Sequence, residues 1–308
     1  FFLVLGLLVF YLLVSELNFN QLQDLLIEAS LSSLLIVLLA SLSAYFFRAK
    51  RWKLLLESKH ELQSLWQIFV VMFYGYFVNL AIPRAGEVSK SFLYQKYSGL
   101  KFSFIIGTVV LERGFDILML LILLFGYSVV DYELYLSFYH KWIILTPFDK
   151  LLNWHTLAAV LLLVLVFGVL FWKYLKPFVQ NRWMGFSDGL FSFKVIRNKL
   201  LFLFYTVAIW CSYFFTTYAC FEIAQLDLGL RAGFALLVLG SFARSIPVQA
   251  GAIGVYHFVV VIILTLPVFG VSESQALILA TIIHAFQTML QIVMGTCSII
   301  VNSFALKR

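Results

Sequence analysis

Residues 79–87 read NLAIPRAGE, and residues 243–254 read ARSIPVQAGAIG. Each stretch carries Ile-Pro and then Ala-Gly inside a long apolar run, with an arginine near the proline. Proline removes a backbone donor and clashes with the preceding turn, so a helix cannot run through either place undisturbed. Two such breaks, in nearly the same words and far apart in the chain, point to a fold that interrupts a helix twice for the same purpose.

The composition around them sets the medium. Of 308 residues, 63% are apolar and 12% charged, Phe alone contributes 33, and the mean hydropathy is +0.98. A soluble domain carries about 25% charged residues, so the fold class read here is an all-α polytopic membrane protein. A membrane β-barrel would alternate apolar and polar residues in short segments; runs such as Leu157–Trp172 are continuously apolar instead. The net charge of +7 is assigned to loops that fix topology and implies no nucleic-acid partner. Cys211, Cys220 and Cys297 sit in apolar segments without metal-ligand spacing and read as packing or lipid-facing residues. The chain opens on Phe1 inside an apolar run, so part of the first helix is expected to precede it. Phe1–Val14 could pass for the core of a signal peptide, but no cleavage pattern follows.

About 20 apolar residues cross a bilayer. The expected full spans, about six, are 1–14, 31–47, 102–130, 155–175, 200–222 and 276–301. The segments 65–96 and 233–270 are interrupted, at Pro83 and Gly86 and at Pro247, Gly251 and Gly254, and are expected to be re-entrant hairpins. Lysine and arginine set the orientation. Arg48, Lys50, Arg51, Lys53 and Lys59 occupy 48–64, and Lys173, Lys176, Arg182, Lys194, Arg197 and Lys199 occupy 173–199. Lys90, Lys96 and Lys101 follow the first break, and Lys307 and Arg308 end the chain, whereas the alternate loops hold Lys141, Lys150 and Arg231. The basic side, with the C-terminus, is expected to face the cytoplasm from the plasma membrane. Each half then has three full spans and one hairpin. Three is odd, so 1–130 and 155–301 are expected to be inverted repeats within a single transmembrane domain, 1–308.

LERGFD, residues 111–116, lies about 15 Å along the helix expected over 102–130 and so near the bilayer centre. Glu112 and Asp116 share a face there, with Arg113 turned about 100° away. Charge at this depth marks a functional site or a buried ion network. The expected partners are Arg84 and Glu87 at the first break and Arg244 at the second. Arginine's planar fork and the unpaired N–H groups of a broken helix both suit an anionic headgroup. Asn79 stands where it can cap the break. His257 and His284 read as hydrogen-bonded packing residues, or as proton carriers if they face a cavity. The candidate substrate-binding set is therefore Asn79, Arg84, Glu87, Glu112, Arg113, Asp116, Arg244 and His257. RAKRWK, residues 48–53, is read as an anchor in which basic side chains snorkel to the interface beside Trp52. No Gly-rich phosphate loop, HExxH or nucleophile elbow is present, so no catalytic residue, metal or cofactor is expected.

Taken together, RAKRW after a span, N-x-x-x-P-R-x-G-E, E-R-x-x-D and the later P-x-x-x-G-x-x-G resemble one family. It is the transmembrane flippase domain of the lysylphosphatidylglycerol synthase/flippase family, and the resemblance runs from near Arg48 to near Ile300. The matching positions are Arg48, Arg51, Trp52, Asn79, Pro83, Arg84, Gly86, Glu87, Glu112, Arg113, Asp116, Pro247, Gly251 and Gly254. The resemblance implies a membrane protein that binds and flips an anionic lipid, whether a phospholipid, a modified phospholipid or a polyprenyl-phosphate carrier. Two-domain members add a cytosolic aminoacyl-transferase domain. None of these residues has the composition of one, so lipid aminoacylation is not implied. The family commonly has an acidic residue where His257 stands, so no carboxylate role carries over to it. Partners in line with this reading are membrane lipids, a second copy of the chain or a separate lipid-modifying enzyme. The alternatives are a transporter of a small ion or soluble anion, and a non-catalytic membrane subunit.

Overall fold

The computed structural model describes residues 19–59, 63–82, 85–145, 184–245 and 254–305. The expected spans 1–14 and 155–175, the residues Pro83, Arg84, Pro247 and Gly251, and the basic residues Lys150, Lys173, Lys176, Arg182, Lys307 and Arg308 lie outside that set.

Among the described residues there are twelve α-helices and no strand. The first half runs α1 (Phe19–Glu28), α2 (Leu31–Leu56), a 3-10 turn (Glu57–Lys59), α3 (Leu65–Ala81), α4 (Ala85–Ser98) and α5 (Phe102–Val130). Next come α6 (Tyr132–Leu145), α7 (Met184–Leu190) and α8 (Ser192–Val195). The second half follows as α9 (Lys199–Ile223), α10 (Leu230–Ser245), α11 (Val255–Leu264) and α12 (Glu273–Ala305). Both halves thus order a long helix, two short ones and a long one. Leu31–Lys59, Lys199–Ile223 and Glu273–Phe304 are long and apolar enough to cross a membrane, and they contain the expected spans 31–47, 200–222 and 276–301. The fourth long helix, α5, has 29 residues, about 43 Å of helix, and carries LERGFD in its first half.

Polar residues start these helices where the apolar runs begin. The side chains of Ser30, Ser64 and Asn198 accept hydrogen bonds from the backbone N–H groups of Ser33, Gln67 and Leu201, capping α2, α3 and α9. Gly99, at φ +69°, takes the left-handed turn that ends α4 and lets Lys101 cap α5 after only a short link.

The helix α2 is the axis of the bundle. Its polar contacts with α9 descend in antiparallel register: Ser30 with Glu222, Ser41 with Thr216, Ser43 with Ser212, Arg48 with Tyr213 and Arg51 with Thr206. Apolar surface gives helices little drive to associate in lipid, so close packing and small polar pairs of this kind hold such a seam. The same helix runs antiparallel to α5, where Trp52 Nε1 donates to Thr108 Oγ1 at 3.0 Å. On the far side of α3, α12 packs through Gly295 against Phe77 and through Ser298 Oγ, which donates to the Val70 carbonyl at 2.5 Å. One apolar core gathers around Trp52, Ile68, Val71, Tyr94, Phe104 and Ile105, and a larger one around Leu236, Leu239, Tyr256, Val260, Ile278 and Ile283. A polar gap lies between them.

One expectation changes here. The stretch 173–199 reads as a plain basic loop, yet its described part forms α7 and α8, and α7 docks on α5. A Cβ on Gly189 would collide with the Phe104 carbonyl, and one on Gly107 with the Phe186 carbonyl. Small residues at this crossing let the two backbones touch, and Lys59 Nζ reaches Asp188 at 2.6 Å beside them.

Candidate functional site

Among the described residues, the carboxylates of α5 find partners on α2 and α4; Arg84, an expected partner, lies outside that set. Arg51 Nη2 lies 3.0 Å from Glu112 Oε1 and 2.7 Å from Asp116 Oδ1. Arg48 Nη2 donates to Asp116 Oδ2 at 3.0 Å, and its Nε donates to the Tyr213 hydroxyl at 2.6 Å. Lys90 of α4 stands 3.8 Å from Glu112 Oε2 and 4.3 Å above the Trp52 ring. These groups are deeply buried: the side-chain exposure is 0% for Arg51 and 2% for Glu112.

The reading of RAKRWK as an interfacial anchor is therefore corrected. The helix does not stop at residue 47; it continues to Leu56 and carries Arg48, Arg51 and Trp52 inward. The spacing itself holds the signal. Positions 48, 51 and 52 share one helical face, and Lys50 and Lys53 project elsewhere. Lys90, expected among the loop cations, is buried as well. The sequence reading left it out because α4 is short and polar and shows no apolar face of its own.

At the first break the expected residues do converge. Asn79 Oδ1 accepts from the Gly86 N–H at 2.7 Å, and its Nδ2 donates to Glu87 Oε2 at 3.4 Å. Asn79 thus ties the end of α3 to the start of α4. Gly86 allows this closeness, because a Cβ there would collide with the Gly75 carbonyl and the Asn79 side chain. Glu87 Oε1 receives Arg113 Nη2 at 3.0 Å, and Arg113 Nη1 is 3.7 Å from Asp116. Asn79, Glu87, Arg113, Asp116 and Glu112 therefore form one continuous network with Arg48, Arg51 and Lys90.

Arg244 and His257 belong to a separate cluster in the second half. The Arg244 guanidinium stacks 4.0 Å over the Tyr256 ring, and its Nε has no hydrogen-bond partner. No acidic residue occurs in 230–245, in 255–264 or in 274–305. His257 is 4% exposed, and its Nδ1 accepts from the Gly254 N–H at 3.4 Å, so it caps α11 at the second break. Gly254 sits there at φ +94°, a conformation that glycine takes at no steric cost. His284 of α12 packs 5.3 Å from His257 between ring centroids.

The network and the cluster face each other across a cavity of about 720 Å³. Arg48, Asn79, Glu87, Arg113 and Asp116 line one side, Arg244, Ser245 and His284 the other, and Tyr45, Tyr76, Trp210 and Gln291 the walls between. That size falls in the range of ligand pockets, roughly 300–1,000 Å³. No group of three or more His, Cys, Asp or Glu side chains among the described residues is arranged to hold a metal ion. The described cysteines are unpaired, with Cys220 buried and Cys211 and Cys297 exposed.

Comparison with known proteins agrees with this architecture. The family model described as the lysylphosphatidylglycerol synthase TM region matches residues 2–295. A UPF0104 membrane protein of Methanocaldococcus jannaschii is 28% identical over 225 residues, which cover 70% of this chain and 90% of that protein. No solved structure matches the chain. The family match takes in the arginines of α2, the carboxylates of α5 and both breaks, and the chain belongs to the lysylphosphatidylglycerol synthase transmembrane-region family.

Proposed function

We propose that this multi-pass membrane protein translocates an anionic lipid by passing its headgroup through the central cavity while the tails stay in the bilayer. The observation that carries the reading is Arg244, a cation in the cavity wall without an acidic partner among the described residues. The opposite wall adds to it. Arg48, Arg51, Lys90 and Arg113 are four cations set against three carboxylates, Glu87, Glu112 and Asp116, so among the described residues that network also keeps one positive charge over. An anionic phosphodiester placed between the walls offsets part of this excess, through the charge-assisted hydrogen bonds that arginine makes best. Family membership supports a lipid as the bearer of that anion.

In this reading the pairs α3–α4 and α10–α11 are re-entrant hairpins entering from opposite sides, and the two halves are inverted. The antiparallel seam between α2 and α9, the leading long helices of the two halves, supports the inversion. Alternate tilting of the hairpins exposes the headgroup to one side and then the other. The basic loops support a cytoplasmic C-terminus.

The test is reconstitution into vesicles with a fluorescent phosphatidylglycerol scored by leaflet over time. Wild type is expected to translocate well above empty vesicles. Arg244→Gln is expected to slow it about tenfold or more, the loss that follows removal of a charged hydrogen bond. Wild type equal to empty vesicles ends the lipid reading. Uptake of a soluble anion such as phosphate in place of lipid movement installs the solute-transporter alternative.

A further inference from the structure

The second-half cluster holds two imidazoles that anion binding alone does not require. We infer that His284, backed by His257, takes up a proton when an anion occupies the cavity, so that anion binding is proton-linked. The inference rests on the proposed function and adds its coupling partner.

The three rings form a triangle beneath Arg244. Arg244 stacks on Tyr256, whose ring lies 6.2 Å from His284 and 6.0 Å from His257, and the two imidazoles lie 5.3 Å apart. The His257 Nδ1 is committed as acceptor to the Gly254 N–H; a proton there would undo the cap of α11. His284 carries no such commitment: it lines the cavity, and its Nε2 has no hydrogen-bond partner. His284 is therefore the ring that can change charge without disturbing the break.

The surrounding charges make the change conditional. The titratable and charged groups around His284 are Arg244 from α10, Tyr256 and His257 from α11, Cys220 from α9, Tyr76 from α3 and Tyr45 from α2, and Arg48 of α2 and Tyr213 of α9 line the same cavity. Of the two cations, Arg48 is paired with Asp116, whereas Arg244 has no acidic partner among the described residues. Across the cavity, Asp116 and Glu87 are already engaged by Arg48, Arg51 and Arg113. An imidazolium at His284 therefore stands beside a second cation with no free carboxylate among the described residues to balance it. An anion held by Arg244 supplies a negative charge there. Linkage is reciprocal: if the anion favours the proton, the proton favours the anion by the same factor. For one linked proton the affinity rises by up to about tenfold per unit fall in pH over the range where the imidazole changes charge.

The experiment is equilibrium binding of a short-chain phosphatidylglycerol to the full chain in nanodiscs of neutral lipid, from about pH 4 to about pH 8, a range that reaches below that of a free imidazole. A phosphodiester keeps its single charge throughout, so any slope belongs to the protein. Wild type is expected to bind more tightly as pH falls, with a limiting slope near one proton per lipid. His284→Gln and His284→Asn are expected to flatten the slope. Wild type provides a second reading without any substitution: adding the lipid in weak buffer should draw protons from solution. A flat wild-type profile without proton uptake, or an unchanged slope in both His284 variants, overturns the linkage and leaves the lipid reading standing. Absence of saturable binding at every pH overturns both.

Discussion

Arg51 has no exposed side-chain surface, and one of its nitrogens serves both Glu112 and Asp116. Its other terminal nitrogen reaches Thr206 on α9 at 3.3 Å. Arg51→Ala would leave two buried carboxylates short of a partner. The expected loss is about 3–5 kcal/mol, read as a lower thermal midpoint and a lower yield of detergent-stable protein. Arg51→Lys is expected to recover only part of it, because a single ammonium cannot span both α5 and α9. Lys50→Ala, on a neighbouring face of the same helix, is expected to stay within about 0.5 kcal/mol of wild type. The acidic half of this layer was legible from depth alone, since LERGFD sits mid-helix in an apolar run. The basic half was not, because 48–53 straddles the point where the apolar run ends and the helix does not. Hydropathy marks the first boundary; only contact with α5 and α9 marks the second.

At the scale of elements, both breaks could be read from proline and glycine, and Asn79 could be read as a cap. Which backbone approaches which could not. The α3–α4 pair is tight because Gly75 and Gly86 face each other, so Gly86→Ala is expected to cost about 1–3 kcal/mol by overpacking. Gly114→Ala provides the contrast, for a Cβ there meets open space; it is expected to be neutral or to stabilise α5 by up to about 1 kcal/mol. Thermal midpoints of the two variants in one detergent check both signs. The α7 dock escaped the sequence reading because it is seven residues long and too polar to register as a span. Gly185 and Gly189, four apart, were the available signal.

For the whole molecule, Lys59 and Asp188 meet at one end of the bundle and Asp131 and Arg231 at the other. In a background without native cysteines, Lys59→Cys is expected to label from the cytoplasm and Tyr132→Cys from outside; labelling from one side by both would remove the inverted arrangement. The helix pairs α3–α4 and α10–α11 are fastened differently. The first is bolted at its broken end, where Glu87 holds Arg113 and Lys90 faces Glu112. The second is pinned at its foot, where Arg231 makes a two-pronged bond to Asp131 at 2.7 and 2.8 Å and Lys141 grips Thr265. The bond from Arg231 holds the Asp131 carboxyl below the ordinary value of 3.8. The pin is therefore complete at neutral pH and loosens only as pH falls beneath that value. At its far end the α10–α11 pair carries Arg244, which rests on Tyr256 of the same pair and makes no ion pair among the described residues. Backbone amides of 238–245 should accordingly exchange faster than those of 86–93, and equal protection would contradict the division. On the proposed translocation, the α10–α11 pair is the part that has to swing, and α3–α4 keeps a constant electrostatic reference against which the headgroup is handed over.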